Sequence, residues 1–485
     1  MSTRAIATSA VWQIASQCVM ALLSIITVKF VAMGLSKELF GNYNSAYGYL
    51  QLFGILADFG LYAVAVREVS RVKNRAEVLG ALIILRCVIL ALALALALVF
   101  VWILPVWKGT PLPLGVTIAA LVPFFTLLAG ILRTIFQVSF KMHYVFVAEV
   151  TQRIVTASLI GLLVLLGVRG STDLDDYHHF LFIGGVGAFV LFFLSFLYGD
   201  RLMKIRPQWN GALIKDLVKK AAPFGLAYLC IALYRQSDVT LIALLRTDYD
   251  LQNAYYGPVI RMMDMAFLIP MFLLNSALPV LSERDSRGEP TKGILGKTFL
   301  AVTLLSGIAG LFAYFWARPL VELLTTSAFL STATRPGSDT ALRLLAIPMF
   351  LNGIALFGFY VLLTRHRWKE LTAVLGAGAI LSVTLNMLLI PDFGFVGASA
   401  TSIAVHIFLS LFLLPLSFRA MRFSLSRQQL IRWFFFLLAA ALFLWGTASL
   451  LVSSSWTLGM LFLASSFLLV LAWITGLPHA LGMGK

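Results

Sequence analysis

Two ionisable pairs stand out in a chain that is otherwise poor in charge. Arg235 and Asp238, within LYRQSDV at 233–239, lie three residues apart in an apolar stretch, and Arg261 and Asp264 repeat that spacing in the next one. Three positions along a helix put both side chains on one face within pairing distance. A charged side chain in the middle of a membrane helix costs about 2.5–3.5 kcal/mol on insertion scales, so such residues pair or face a bundle interior or watery cavity. Both readings stay open here: each pair neutralises itself to permit insertion, or the four residues line a cavity. Lys29, a turn from the outer end of its stretch, and Arg86, about two turns from the inner end of another, either line such a cavity or snorkel to the interface. Asp58, just before Phe59 and Gly60, has no cation at helical spacing. It could carry a proton, meet a partner across the molecule, or bond to nearby backbone and Ser groups.

Other chemistry-bearing residues point to plainer roles. Glu149 and Arg153, four apart, suit an ordinary helix pair near the inner face. Ser171–His179 (STDLDDYHH) gathers three Asp and two His, but without a fixed ligand spacing it reads as a solvated outer loop rather than a metal site. His143, His366 and His406 are isolated, and Cys18, Cys87 and Cys230 show no paired spacing, so neither a metal site nor a disulfide framework is expected. No Ser/His/Asp set and no paired carboxylates call for catalysis. No segment matches the phosphate-binding GxxxxGK[ST] loop. The chain is expected to be neither an enzyme nor an ATPase.

The elements that must position these residues are membrane helices. Of 485 residues 60% are hydrophobic and only 12% charged, against the roughly 25% charged of soluble domains. A bilayer core needs about 20 apolar residues per helical span. Fourteen such stretches can be marked: 9–33, 42–66, 80–104, 113–135, 145–167, 180–199, 221–245, 253–281, 297–317, 341–363, 370–390, 394–417, 432–452 and 456–477. The division at Pro391–Gly394 and the fourth and fifth stretches are the least distinct, and twelve spans is the alternative. The first stretch lacks a small-residue cleavage pattern and is expected to be retained.

A weak repeat is visible as well. Asn44–Arg71 and Asn253–Arg284 both open near a Tyr-Gly step and close on Glu followed by a basic residue. Six spans return the chain to its starting side, so a second six would run parallel to the first. The expected architecture is all-α: an N-lobe at 1–200, an inter-lobe linker at 201–220, a C-lobe at 221–417 and two further helices within 432–478.

The net charge of +16 comes from cations that flank the spans. With the amino terminus in the cytoplasm, 26 Lys and Arg fall on that side and 7 on the other. The positive-inside rule therefore puts both termini in the cytoplasm of a multi-pass protein in the cell membrane. Topogenic flanks of this kind are no nucleic-acid footprint. Subtraction leaves Lys29, Arg86, Arg235 and Arg261 as the cations inside spans. Pro258, Pro270 and Pro279 all fall in the eighth span, and Pro223, Pro348 and Pro391 in others. A bent eighth span beside a cavity would be a natural moving element.

Several segments resemble a known family. Phe40–Arg71, with LADFGL at 56–61 and REVSR at 67–71, looks like the second-span signature of Wzx-type polysaccharide flippases. APFGLAYLCIALYRQSDVTLIALL, then Tyr255, Tyr256, Gly257 and FLIPMFLLNSALPVLSER at 267–284, resembles the start of their second lobe. LNMLLIPDFGFVGASAT at 385–401 is similar to a pattern shared with multidrug exporters of the same superfamily, departing from it at Ser399. The resemblance implies an alternating-access transporter that flips a polyprenyl-pyrophosphate-linked oligosaccharide from the cytoplasmic to the outer leaflet for surface polysaccharide assembly. It implies substrate contacts by Lys29, Arg86, Arg235 and Arg261, of which Lys29 and Arg261 fall in spans that carry cavity cations in the related lipid II flippases. Proton or sodium coupling, common in the superfamily, would fall to Asp58, Asp238 or Asp264. No cofactor is implied. Expected partners are the lipid-linked substrate, membrane lipids and other glycan-assembly proteins, and the chain is expected to act as a monomer. A cation-coupled small-molecule exporter is the competing reading. It would favour acids over Arg at mid-membrane depth and twelve spans.

Overall fold

A computed structural model describes residues 3–58, 61, 65, 68–69, 75–204, 208–287, 291–450 and 454–474. Among them the chain is helical throughout, and its one β-bridge joins Leu35 to Ser171. In sequence order the helices are α1 (Thr3–Gly34), α2 (Lys37–Asp58), α3 (Arg75–Ile103), α4 (Leu112–Ala119), α5 (Leu121–Val138), α6 (Met142–Leu165), α7 (Leu174–Leu202) and α8 (Gly211–Leu245). There follow α9 (Tyr249–Ser286), α10 (Lys292–Phe315), α11 (Ala317–Leu324), α12 (Ser338–Thr364), α13 (Trp368–Phe393), α14 (Phe395–Ala420), α15 (Arg427–Ala448) and α16 (Ser454–Ile474).

Local chemistry sets several of the ends. Asp173 caps α7 by accepting from the Asp175 amide, Asn210 caps α8 by accepting from that of Leu213, and Ser426 with Gln429 forms a reciprocal capping box on α15. Between α13 and α14 the break falls at Gly394, whose φ of 56° and ψ of −134° suit a residue without Cβ. The division expected at Pro391–Gly394 is thus a true helix end. The expected fourth span is built from α4 and α5 in succession.

Among the described residues twelve helical stretches are long and apolar enough to cross a bilayer. With no exposed backbone polar group tolerated in hydrocarbon, this is a multi-pass α-helical membrane protein. The expected stretches at 42–66 and 456–477 are the two outside that set. In α2, Asn42, Asn44, Ser45 and Gln51 lower the hydropathy, and the apolar run of α16 is short, at Thr457–Trp473. Helix α9 runs unbroken for 38 residues through Pro258, Pro270 and Pro279.

The chain divides into two compact units, Met1–Gly257 and Pro258–Lys485. In the first, α1 packs along α6, α5 along α7, and α2 against α3 and α8. The 201–220 connection lies inside this unit. Leu217 and Ala221 on the first turns of α8 join Leu61, Ala65 and Val69 and the α3 residues Val78, Ala81, Leu82 and Leu85 in one buried cluster. In the second unit α12 packs against α10 and α14, with α15 against α10. His406 of α14 is buried there, its Nδ1 2.8 Å from the Ser402 carbonyl oxygen.

Candidate functional site

In the first unit three polar assemblies interrupt the apolar packing, and each uses residues distant in sequence. The first is at the C-terminal end of α2. Arg86 of α3 is 3% exposed and its Nη1 stands 2.6 Å from Asp58 Oδ1. The same nitrogen donates to the carbonyls of Ala57 at 3.2 Å and Asp58 at 3.1 Å, and Nε donates to that of Leu127 at 3.4 Å. One guanidinium thus bonds to two carbonyls at the C-terminal end of α2 and neutralises a carboxylate beside them. Arg86 therefore does not snorkel. The partner that Asp58 lacks on its own helix comes from α3, a pairing that helical spacing cannot reveal.

The second assembly joins three helices. Glu149 of α6, 9% exposed, accepts from Arg133 Nη1 of α5 at 2.9 Å and from the Ser16 hydroxyl of α1. The expected partner was Arg153 on the same helix; the carboxylate instead faces α1 and α5, because α6 packs along α1. Sequence spacing singled out the wrong neighbour here. A buried acid on an inward helix face was the available signal.

The third is a polar seam along which α2 meets the end of α8 and the first turns of α9. Tyr249 donates to Asn42 Oδ1 at 2.9 Å, Asn253 Nδ2 donates to Ser45 Oγ at 2.9 Å and to the Val239 carbonyl at 3.0 Å, and Tyr256 donates to Asp238 Oδ2 at 2.8 Å. Lys37 lies over the Tyr255 ring, 5.8 Å from its centre. Glycines let the helices approach. A Cβ on Gly41 would stand 1.6 Å from the Asp250 carbonyl oxygen, one on Gly48 2.4 Å from Val239, and one on Gly257 2.5 Å from Asn44. Small residues for close approach and side-chain hydrogen bonds as cross-links are how membrane helices associate. Outside the apolar spans, Arg246 grips Asp248 through Nε at 2.7 Å and Nη2 at 3.0 Å, and Gln252 donates to it at 2.8 Å. The Arg246 hydrogen bonds hold the Asp248 carboxyl below the usual carboxylate range, with burial opposing them.

The expected site residues divide accordingly. Asp58 and Arg86 meet each other, and Asp238, 4% exposed, is drawn into the seam by Tyr256. Lys29 on α1 and Arg235 on α8 are half-buried in the first unit, and Arg261 and Asp264 on α9 are half-buried in the second. The acids of the 171–179 stretch serve α7: Asp173 caps it, and Ser171 donates to Asp176 Oδ2 at 2.6 Å. Asn42, Asn44, Ser45 and Asn253 form a group that sequence reading passed over, although four small polar residues in two apolar stretches were a visible signal.

The family described as polysaccharide biosynthesis protein matches residues 6–285. No curated protein is significantly similar to the chain. Among solved structures, the lipid II flippase MurJ in an inward closed conformation is similar with a TM-score of 0.68 at 14% identity, covering 97% of this chain and 98% of that one. An inward-facing multidrug resistance MATE family transporter of the MOP superfamily gives 0.64 at 11% identity, over 86% and 100%. A MOP superfamily transporter from Pyrococcus furiosus, described as having a binding pocket of reverse polarity, gives 0.57 at 13% identity, over 86% and 96%.

Proposed function

The chain belongs to the polysaccharide biosynthesis protein family, and from that premise we propose that it flips a polyprenyl-pyrophosphate-linked oligosaccharide from the cytoplasmic to the outer leaflet by alternating access. The observation that carries the reading is the set of cations held at membrane depth. A pyrophosphate headgroup is strongly anionic, and Arg contacts phosphate oxygens in pairs. Lys29, Arg235 and Arg261 are the residues proposed to receive it. Arg86 is engaged by Asp58 and the α2 carbonyls and is left out of that set.

In this reading the α2 seam is the outer gate, drawn together by Asn42, Ser45, Asn253 and the glycines, and both termini face the cytoplasm. Opening requires that the seam part, so Asp238 acts in gating through its bond to Tyr256. Proton or sodium coupling falls to Asp58 or Asp264. The flippase likeness takes in 97% of the chain, whereas the exporter likenesses take in 84–87%. Those exporter likenesses favour the second reading, a cation-coupled small-molecule exporter.

The test is reconstitution in proteoliposomes with a short fluorescent polyprenyl-pyrophosphate glycan. Leaflet reversal by the wild type, reduced in folded Arg235→Ala and Arg261→Ala variants, is the expected result. If the wild type leaves this lipid in place but expels cationic dyes under a proton gradient, the exporter reading takes over.

A further inference from the structure

We propose that Phe272 and Asn275 of α9, with Tyr360 of α12, form a subsite for an uncharged sugar ring of the transported glycan. The proposal rests on the flippase reading above and names a part of the substrate which that reading leaves open. Asn275 stands in an apolar stretch, with Met271–Leu274 before it and, past Ser276, Ala277–Leu281 after it. It is nevertheless exposed. Among the described residues its hydrogen bond is the one accepted from the Tyr360 hydroxyl at 2.6 Å, so the amide nitrogen has no protein partner there. An amide left this way in hydrocarbon is costly, and such a group inside a span faces water or a ligand instead.

Helix periodicity connects this group to the proposed phosphate site. At about 100° per residue, Arg261, Leu268, Phe272 and Asn275 fall within a stripe roughly 60° wide along α9. Arg261, Leu268 and Phe272 are half-buried and Asn275 is exposed. Ile260, Met263, Phe267 and Leu274, all buried, lie about 120° further round. One face of the helix is therefore packed and the other is open. Along the axis Asn275 is about 21 Å from Arg261, at about 1.5 Å per residue. A linear glycan whose pyrophosphate is held at Arg261 reaches Asn275 with a few sugar rings.

The groups present suit a neutral carbohydrate. Tyr360 gives its proton to Asn275, so the pair offers an amide NH2 as donor and a phenolic oxygen as acceptor. A sugar hydroxyl, which both accepts and donates, matches that pair. Phe272, about one turn up the same face, adds an aromatic ring whose negative face suits the C–H bonds of a pyranose. An acidic sugar fares worse. The cations nearest in sequence on the two helices, Arg284 and Arg365, are turned about 180° from Asn275 and about 140° from Tyr360. A carboxylate would meet the amide donor together with the oxygen lone pairs of Asn275 and Tyr360, and no cation on this face closer than Arg261.

The test separates the subsite from the reading beneath it. Three probes are compared for binding to the purified full chain in nanodiscs: farnesyl pyrophosphate, the same lipid bearing cellotriose, and that glycolipid with its terminal glucose replaced by glucuronate. The wild type is expected to bind the cellotriose probe more tightly than the glucuronate one. Asn275→Ala lowers affinity for the cellotriose probe, relative to farnesyl pyrophosphate, roughly fivefold, the size of one ordinary hydrogen bond. Tyr360→Phe, which keeps the ring, shifts the same ratio in the same direction, and both variants are checked for an intact melt. Arg261→Ala weakens all three probes. An unchanged ratio in the folded Asn275→Ala and Tyr360→Phe variants overturns the subsite and leaves the flippase reading standing. So does a wild type that does not prefer the uncharged glycan. If the wild type binds none of the three probes, the flippase reading itself fails and the subsite falls with it.

Discussion

Asn253 donates one amide to the Ser45 hydroxyl at 2.9 Å and to the Val239 carbonyl at 3.0 Å. The two residues come from the two stretches that the internal repeat aligns, Asn44–Tyr47–Gly48 in α2 and Asn253–Tyr256–Gly257 in α9. Each stretch presents its Asn and its Gly to the seam: Asn44 fills the place a Gly257 side chain would take, and Val239, beside Asn253, fills that of Gly48. Corresponding residues of the repeat have become the two sides of one contact.

The seam gives the first prediction. Asn253→Leu removes both bonds, each worth about 0.6 to 1.7 kcal/mol between membrane helices. If the seam is a gate, a cysteine placed at Tyr249 becomes several-fold more reactive to an impermeant maleimide added from outside, while the melt changes little. Unchanged labelling would make the seam a static joint.

Gly41 offers a sharper steric case. Gly41→Ala puts a methyl 1.6 Å from the Asp250 carbonyl oxygen, a distance that only backbone separation can relieve. Expression and thermal stability in detergent are expected to fall markedly, whereas Gly54→Ala on the same helix, with nothing nearby, should melt like the wild type.

The Arg86–Asp58 pair should behave as a unit. Asp58→Asn leaves a buried guanidinium without its counter-charge and is expected to cost up to about 3 kcal/mol, the lower part of the range for broken buried pairs because Asp58 is partly exposed. Arg86→Met combined with Asp58→Leu should recover part of that loss. A double-mutant cycle on melting midpoints measures the coupling, and purely additive effects would contradict the pairing.

Acid sensitivity follows from Asp248. Its carboxyl is held below the usual range by Arg246, so it stabilises the folded chain fully above the unfolded value near about 3.9, and that contribution fades as pH falls through the lower folded value. Asp248→Asn should therefore be less stable than wild type at neutral pH, with the gap closing below about pH 4. A gap that widens in acid would reverse the sign and refute the assignment.

Glu149 anchors α1. Glu149→Gln keeps a group that can accept from Ser16 but loses the charge that holds Arg133. Amide exchange in α1 from about residue 15 to 30 should rise, with α12 and α14 of the other unit unaffected.

What the sequence determined by itself was the solvent and the places of most crossings, though its fourteen expected stretches exceed the twelve long apolar helices among the described residues. Apolar runs near bilayer length, cations clustered between them, and Pro391–Gly394 as a helix end are local properties, legible because each depends on neighbours within a few residues. Lys29, Arg235 and Arg261 could be picked out by the same logic, since a charge in an apolar run is conspicuous whatever surrounds it. Partnership was different. Arg86 finds Asp58 28 positions away and Glu149 prefers Arg133 and Ser16 to its own helical neighbour, because in a bundle the partner of a buried charge is set by which helix face packs against which. Likewise nothing in α2 alone says that Asn42 and Ser45 would meet Tyr249 and Asn253. Only the packing of helices more than 200 residues apart turned four ordinary polar residues into a seam.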